Sequence, residues 1–191
     1  MRLIYGKGYN SGGFYKARIG GKKTKLYRKW ENMLTRCYSE SFQQHRPTYI
    51  GCSVADEWHD FQRFAEWHES QKYSNAGYAL DKDLLIHGNK IYSATTCCLI
   101  PVDLNNLLLS RGGDRGVYPQ GVSFDKMAGK YIAQMSINGV VRSLGRFDCV
   151  NDAHQTYKTT KERYVKNKAL EWANRIDWDV FFALMSWRLC D

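Results

Sequence analysis

Carboxylate and amide side chains cluster in one stretch of the sequence, LDKDLLIHGNKIYSATTCCLIPVDLNNLL, residues 80–108. Asp81 and Asp83 stand near its front and Asn105 near its back, and their oxygen atoms are the ligand type that Mg²⁺ takes in proteins. A cation held there could neutralise a scissile phosphate while a nearby base activates water. The same residues also fit a plain hairpin and helix, in which the carboxylates pair with basic groups and the amide bonds to loop backbone.

The stretch predicts two strands and a helix that would position these side chains. Residues 79–83 (ALDKD) predict a first strand with both aspartates on one face, and residues 91–100 (IYSATTCCLI) predict a second strand. Residues 101–109 predict a helix with Pro101 near its start, where proline is favoured.

The residues before this stretch predict a basic hairpin followed by two helices. Residues 12–29 alternate around Gly20-Gly21 and carry Lys22, Lys23 and Lys25, which could contact phosphates or form a flexible basic arm. Helical spacing over residues 27–38 and 56–70 predicts two amphipathic helices, the second capped by Ser53 or Asp56. We expect His68, on an apolar helix face, to be a core histidine rather than a metal ligand.

The charge is uneven along the 191 residues. Residues 1–50 hold 11 Lys and Arg against 2 acidic residues, whereas residues 51–110 hold 4 against 8, within a net charge of +9. Such asymmetry favours a nucleic-acid partner, although a solvated surface would give the same count. Without a leader-like N-terminus or a long apolar run, we expect a soluble, cytoplasmic protein with no membrane association.

Six cysteines without a C-x-x-C pair indicate free, buried thiols rather than disulfides. A zinc site made by Cys37, His45 and Cys52 is the alternative, but their spacing matches no familiar zinc pattern.

The C-terminal third predicts a small sheet on a helix. The Gly-rich segment 110–116 (SRGGDRG) predicts a linker, and turn signals at Ala128-Gly129 and Asn138-Gly139 separate three short strands. A helix follows, with Asn151 as its expected cap. Its sheet-facing side is predicted to carry Ala153, Tyr157, Tyr164 and Ala169.

This segment resembles AP2-type DNA-binding domains over residues 116–169. The resemblance rests on Gly121-Val122, Gly129-Lys130-Tyr131, Leu144-Gly145-Arg146-Phe147 and Ala153 with Tyr157. It implies that the exposed sheet face enters the DNA major groove. The residues that would contact DNA are Lys130, Gln134, Ser136 and Ser143, with Arg142 and Arg146 nearby, and alternation from Leu144 leaves open an inward orientation of Arg142. The Arg and Trp groove residues of that family are missing at most of these positions, so we expect contact largely with the DNA backbone.

Upstream and within the Asp81 stretch, the chain carries in order the segments WENMLTRCY, PTYIGCSV, DEWHDFQRFAEW and YSATTCCLIP. With them, residues 25–108 resemble phage proteins of the HNH-endonuclease-like group, which often carry an AP2 domain. The resemblance implies that Asp81 or Asp83 and Asn105 hold Mg²⁺ or Mn²⁺, with no organic cofactor. Lys82 stands where the family has its catalytic histidine, so Lys82 or His87 would have to act as the base.

The sequence thus predicts an α+β protein with an HNH-like ββα core and flanking helices, plus an AP2-like three-stranded antiparallel sheet packed on one helix. The expected ranges are 1–110 for the HNH-like region, 111–175 for the AP2-like domain and 176–191 for a helix packed on the body. The expected function is that of a phage-type DNA-binding protein acting as a metal-dependent endonuclease, homing-type included, in the host cytoplasm. The alternative is a catalytically degenerate DNA-binding regulator, or a protein that inhibits a host enzyme by direct contact.

Overall fold

A computed structural model describes residues 3–109 and 117–190, and the mixed α+β composition predicted from the sequence is confirmed. The chain forms two compact units. The first runs to Val102 and includes Arg175–Val180, and the second comprises Asp103–Asn174 with Phe181–Asp191. These limits differ from the predicted ranges 1–110, 111–175 and 176–191, and the predicted linker 110–116 lies outside the described residues.

The first unit combines three helices with three two-stranded sheets. Its elements are β1 (Arg18–Ile19), β2 (Lys22–Lys23), α1 (Lys25–Tyr38), α2 (Glu40–His45), β3 (Ser53–Val54), α3 (Phe61–Ser70), β4 (Ala79–Asp81), β5 (Ile91–Tyr92) and β6 (Cys98–Ile100). β1 pairs antiparallel with β2, β3 parallel with β5, and β4 antiparallel with β6. The predicted basic hairpin is confirmed, and both residues of its Gly20-Gly21 turn have positive φ, as a type I′ turn requires.

The core of this unit lies between α1 and α3. The apolar faces predicted for the two helices are buried, and the indole N–H of Trp30 donates to the carbonyl of Trp58 at 2.7 Å. The expected cap of the second helix is wrong. Asp60 caps α3, because a 3₁₀ turn over Asp56–His59 delays the helix and leaves the Asp60 carboxylate to accept from Gln62 N–H at 3.1 Å.

The predicted strands around the Asp81 region are shorter than expected. The first ends at Asp81, so Asp83 does not share a strand face with it. The second divides into β5 and β6, because Ser93 accepts the N–H of Cys97 at 3.1 Å and its hydroxyl lies 2.9 Å from that of Thr96. Local bonds of this kind close a turn in place of a strand ladder.

The second unit contains an antiparallel sheet and a long helix. Its elements are β7 (Val122–Asp125), β8 (Lys130–Ile137), β9 (Val140–Phe147) and α5 (Val150–Trp172). The sheet order is β7-β8-β9, and the turn between β8 and β9 has φ of 51° at Asn138 and 80° at Gly139. Two positive φ angles define the type I′ turn that Asn-Gly predicts. Two further helices, α4 (Val102–Leu108) and α6 (Trp178–Ser186), contain residues of both units.

The expected cap of α5 is also wrong. The helix begins at Val150, so Asn151 lies inside its first turn, and Cys149 occupies the cap position without a side-chain bond. The predicted inward face is otherwise observed: Ala153, Tyr157 and Ala169 are buried, and Tyr164 packs beside the apolar cluster of Met135, Tyr157 and Leu189.

All six cysteines are free, and four of them, Cys37, Cys52, Cys97 and Cys98, are buried. Burial raises the pKa of Cys37 and that of Cys97 to about 12, so both thiols are protonated at neutral pH. Within residues 3–109 and 117–190, no helix has the length and apolarity needed to cross a bilayer.

Candidate functional site

Asp81 ends β4 and organises the loop that follows. Its Oδ1 accepts the backbone N–H groups of Asp83 at 2.8 Å and Leu84 at 2.7 Å. Burial raises the pKa of the Asp81 carboxyl, although these two bonds and the charge of Lys82 oppose the rise. One of its oxygens is therefore already used in closing a turn.

Lys82 is 5% exposed and links the two ends of the same loop. Its ammonium donates to the Asp83 carboxylate and to the carbonyl of Asn89, the latter at 2.7 Å. The Asn89 amide in return donates to the Lys82 carbonyl at 2.8 Å, and the ring of Tyr92 lies 5.9 Å from the ammonium. Lys82 thus connects the two ends of the loop by hydrogen bonds, and the Asp83 carboxylate compensates its charge.

The other predicted catalytic and metal residues are His87 and Asn105. His87 lies exposed in the loop between β4 and β5. Asn105 lies half-buried in α4 and belongs to the second unit, whereas Asp81 and Asp83 belong to the first. Among the described residues no three His, Cys, Asp or Glu side chains are grouped closely enough to hold a metal ion. Within the first unit, the structure joins Asp81, Lys82 and Asp83 by direct hydrogen bonds.

The sheet of the second unit has one face against a helix and one open face. Ala133 and Met135 are buried, and Met135 packs on Tyr157 of α5. Alternation along β8 places Lys130, Gln134 and Ser136 on the other side. Gln134 and Ser136 are exposed there, as contact with DNA would require.

The register of β9 decides which of its side chains join that face. Ser143 pairs with Gln134, and Arg146 pairs with Ile132, so both lie on the open side. Arg142 pairs with Met135 and therefore emerges on the helix side, contrary to its inclusion in the predicted DNA-contacting set. A register shift after Ala133 places Ser143 and Arg146 on the same side. The open face is thus defined by Lys130, Gln134, Ser136, Ser143 and Arg146.

Both cations of the open face have carboxylate partners. Arg146 lies 3.7 Å from Asp125, which also accepts the N–H groups of Met127 and Ala128 in the β7–β8 turn. Lys130 pairs with Asp148. Neither acidic residue was singled out from the sequence, because the pairings depend on sheet register.

The predicted lysines of the basic hairpin differ in their surroundings. Lys22 and Lys25 are exposed. Lys23 instead pairs with Glu31 of α1 at 2.6 Å, so its charge is locally balanced. Of the three predicted lysines, two are therefore exposed and one is paired with a carboxylate.

Sequence reasoning missed a cluster formed by Lys29, His68 and Glu69. The Lys29 ammonium lies 2.7 Å from His68 Nε2 and donates to the carbonyl of Tyr78 at 2.8 Å. His68 Nδ1 lies 3.0 Å from a Glu69 carboxylate oxygen. Burial lowers the pKa of Lys29 to about 8, and burial together with the Lys29 charge lowers the pKa of His68. His68 is buried as predicted, but Lys29 is 39 residues away in sequence, so spacing gave no signal.

Comparisons of this α+β chain with protein-family models, with curated proteins and with solved structures find no significant match.

Proposed function

We propose that this protein binds double-stranded DNA through the open sheet face of its second unit. The observation that supports the proposal most is the Gln134–Ser143 pair, whose two side chains are exposed on the side of the sheet opposite the buried Met135. Gln can form two hydrogen bonds to adenine in the major groove, and Ser can contact several bases or a phosphate. Lys130 and Arg146 lie on the same face and supply charge next to this polar pair.

The arrangement of charges favours moderate affinity for DNA, with contacts mainly to the phosphate backbone. Arg146 and Lys130 each face an acidic residue, so phosphate contact has to compete with Asp125 and Asp148. The net charge of +9 and the exposed Lys22 and Lys25 add sequence-independent attraction. We therefore expect strong salt dependence and weak discrimination between DNA sequences.

The loop of Asp81, Lys82 and Asp83 is better explained as a scaffold than as a catalytic centre. A general base needs a free lone pair, whereas Lys82 is a hydrogen-bond donor to Asp83 and Asn89 and is almost fully buried. Asp81 Oδ1 accepts two backbone N–H groups and thereby stabilises the turn that follows β4.

A salt titration tests the proposal. Fluorescence anisotropy of a labelled 20-base-pair duplex would be measured with the full chain between 50 and 200 mM salt. Binding whose affinity falls steeply with salt supports it, because each phosphate contact contributes a slope of about −0.9 in log affinity against log salt. Absence of duplex binding at 50 mM salt would contradict the proposal. If the protein instead forms a stoichiometric complex with a host enzyme whose affinity does not depend on salt, inhibition by protein contact would be the better explanation.

A metal-dependent endonuclease is the second candidate, favoured by the observed order of β4, loop, β6 and α4 with Asp81 at the strand end. Supercoiled DNA would be incubated with the protein in Mg²⁺, in Mn²⁺ and in EDTA. Nicking that requires metal and disappears in Asp83→Ala, with DNA binding kept, would establish the activity. Equal nicking by variant and parent would assign the cleavage to a contaminant.

A further inference from the structure

The cluster of Lys29, His68 and Glu69 has a defined hydrogen-bond direction. A carboxylate at neutral pH only accepts, so His68 Nδ1 carries the hydrogen toward Glu69 at 3.0 Å. His68 Nε2 is then the acceptor, and Lys29 Nζ donates to it at 2.7 Å. The second hydrogen of Lys29 goes to the carbonyl of Tyr78 at 2.8 Å.

This direction leaves the amine poised for nucleophilic attack once it is neutral. A neutral amine has two hydrogens and one lone pair, and the acceptors on His68 and Tyr78 hold both hydrogens. The lone pair of Lys29 therefore points away from the cluster, and the side chain is only partly buried. With the pKa of Lys29 lowered to about 8 by burial, a substantial fraction of the amine is neutral near pH 7.5.

We propose that Lys29 is a site of covalent acylation by activated acyl groups, acyl phosphates or thioesters, with His68 as the base and Glu69 as the residue that orients it. The Lys29 nitrogen attacks the acyl carbon, a C–N bond forms, and the bond from that carbon to the phosphate oxygen or thiolate sulfur breaks with its electron pair. The ammonium proton of the adduct passes to His68 Nε2 and then to solvent. Glu69 stabilises the imidazolium that forms, as in other pairs of an activated nucleophile and its base.

Acylation would also change the fold locally. The amide product carries no charge and has one N–H in place of the two that hold His68 and Tyr78. The modification therefore loosens the connection between α1, the end of α3 and the residue that precedes β4.

The test uses the full chain with acetyl phosphate and, in a second arm, a simple S-acetyl thioester. Acetylation of each lysine would be followed by mass spectrometry at pH 7.5, with the exposed Lys25 on the same helix as the internal control. We expect Lys29 to react roughly tenfold faster than Lys25, since a lowered amine pKa exposes more of the neutral form. Reaction in one arm alone identifies the donor class, and Lys29 reacting no faster than Lys25 in both arms overturns the proposal.

Variants of His68 and Glu69 test whether these residues assist the reaction of Lys29 or whether exposure of its amine alone explains the rate. His68→Gln should slow Lys29 acetylation several-fold and leave Lys25 unchanged. Glu69→Gln should slow it less, because loss of the Glu69 charge also lowers the pKa of Lys29 and so increases the neutral amine. If His68→Gln does not fold, the pH profile of the parent decides. The titratable groups that act on the amine are His68 and Glu69, and the Lys29 rate should level off above about pH 8. A rate that climbs steadily to the ordinary lysine pKa of about 10.4 would contradict the proposal.

Discussion

Gly121 lies directly against the ring of Tyr157: a Cβ at residue 121 would be 2.0 Å from Tyr157 Cδ2. Gly121 also has φ of +79°, which side-chain-bearing residues rarely adopt. Tyr157 belongs to the α5 face that packs on the sheet, and the Gly121 carbonyl accepts the N–H of Gln134 at 2.8 Å. The close approach of sheet and helix therefore requires glycine at position 121, just before β7.

Gly121→Ala should destabilise the protein by about 2–4 kcal/mol, of which about 1 kcal/mol comes from backbone strain and the rest from overpacking. Gly129→Ala is the matched control, because Gly129 has φ of +64° but open space around it. Urea unfolding should show a loss of about 1 kcal/mol for the control. Equal losses in the two variants would contradict the contact with Tyr157.

Asp83→Ala should cost about 1–2 kcal/mol, because it leaves the buried Lys82 ammonium without its carboxylate, and the partial exposure of Asp83 limits the loss. The double variant Lys82→Met with Asp83→Ala should recover most of that stability, since no uncompensated charge remains. A double-mutant cycle measured by urea unfolding checks this. Strictly additive losses of stability would argue against an energetic coupling between Lys82 and Asp83.

Acid should destabilise the protein partly through His68. Its folded pKa is lowered, so as pH falls below the unfolded value of about 6.5 the unfolded chain takes up a proton that the folded chain resists, and stability is lost. Urea midpoints between pH 7.5 and pH 5 should fall less in His68→Gln than in the parent. A residual fall remains, because burial lowers the pKa of His59 as well. Identical slopes in parent and variant would refute the assignment.

Local signals predicted much of this fold. The Asn138-Gly139 turn, the glycine turn of the basic hairpin and the apolar face of α1 follow from φ preferences and helical spacing over a few residues. The cap of α3 was not predicted because Asp56 matches the usual cap preferences as well as Asp60 does, and that of α5 because Cys149, which is not a preferred cap residue, holds the position without a side-chain bond.

The candidate sites depended on contacts that sequence spacing does not encode. The pairs of Arg146 with Asp125 and of Lys29 with His68 join residues 21 and 39 positions apart. One register shift after Ala133 places Ser143 and Arg146 on the same side of the sheet, although strict alternation along β9 would separate them. A one-residue change of register moves a side chain to the other face, which local pattern cannot foresee.

Asp125→Asn should raise DNA affinity several-fold at low salt, an effect opposite in sign to most interface variants. The amide keeps an oxygen for the N–H groups of Met127 and Ala128 but removes the charge that faces Arg146. Released Arg146 can then contact phosphate, with the gain fading as salt screens it. Anisotropy on the labelled duplex measures this, and an unchanged or weaker affinity in a folded variant would contradict a role for Arg146.

The central claim is that the open sheet face contacts DNA. The most direct test is the salt dependence of DNA affinity in a variant whose two sheet cations are neutralised. Lys130→Gln combined with Arg146→Gln would be compared by anisotropy with Arg163→Gln, a neutralisation on the exposed surface of α5. The sheet variant should bind more weakly, with a log–log salt slope reduced by about 2, whereas Arg163→Gln should bind as the parent does. An unchanged slope in the sheet variant, or an equal loss in Arg163→Gln, would contradict the claim.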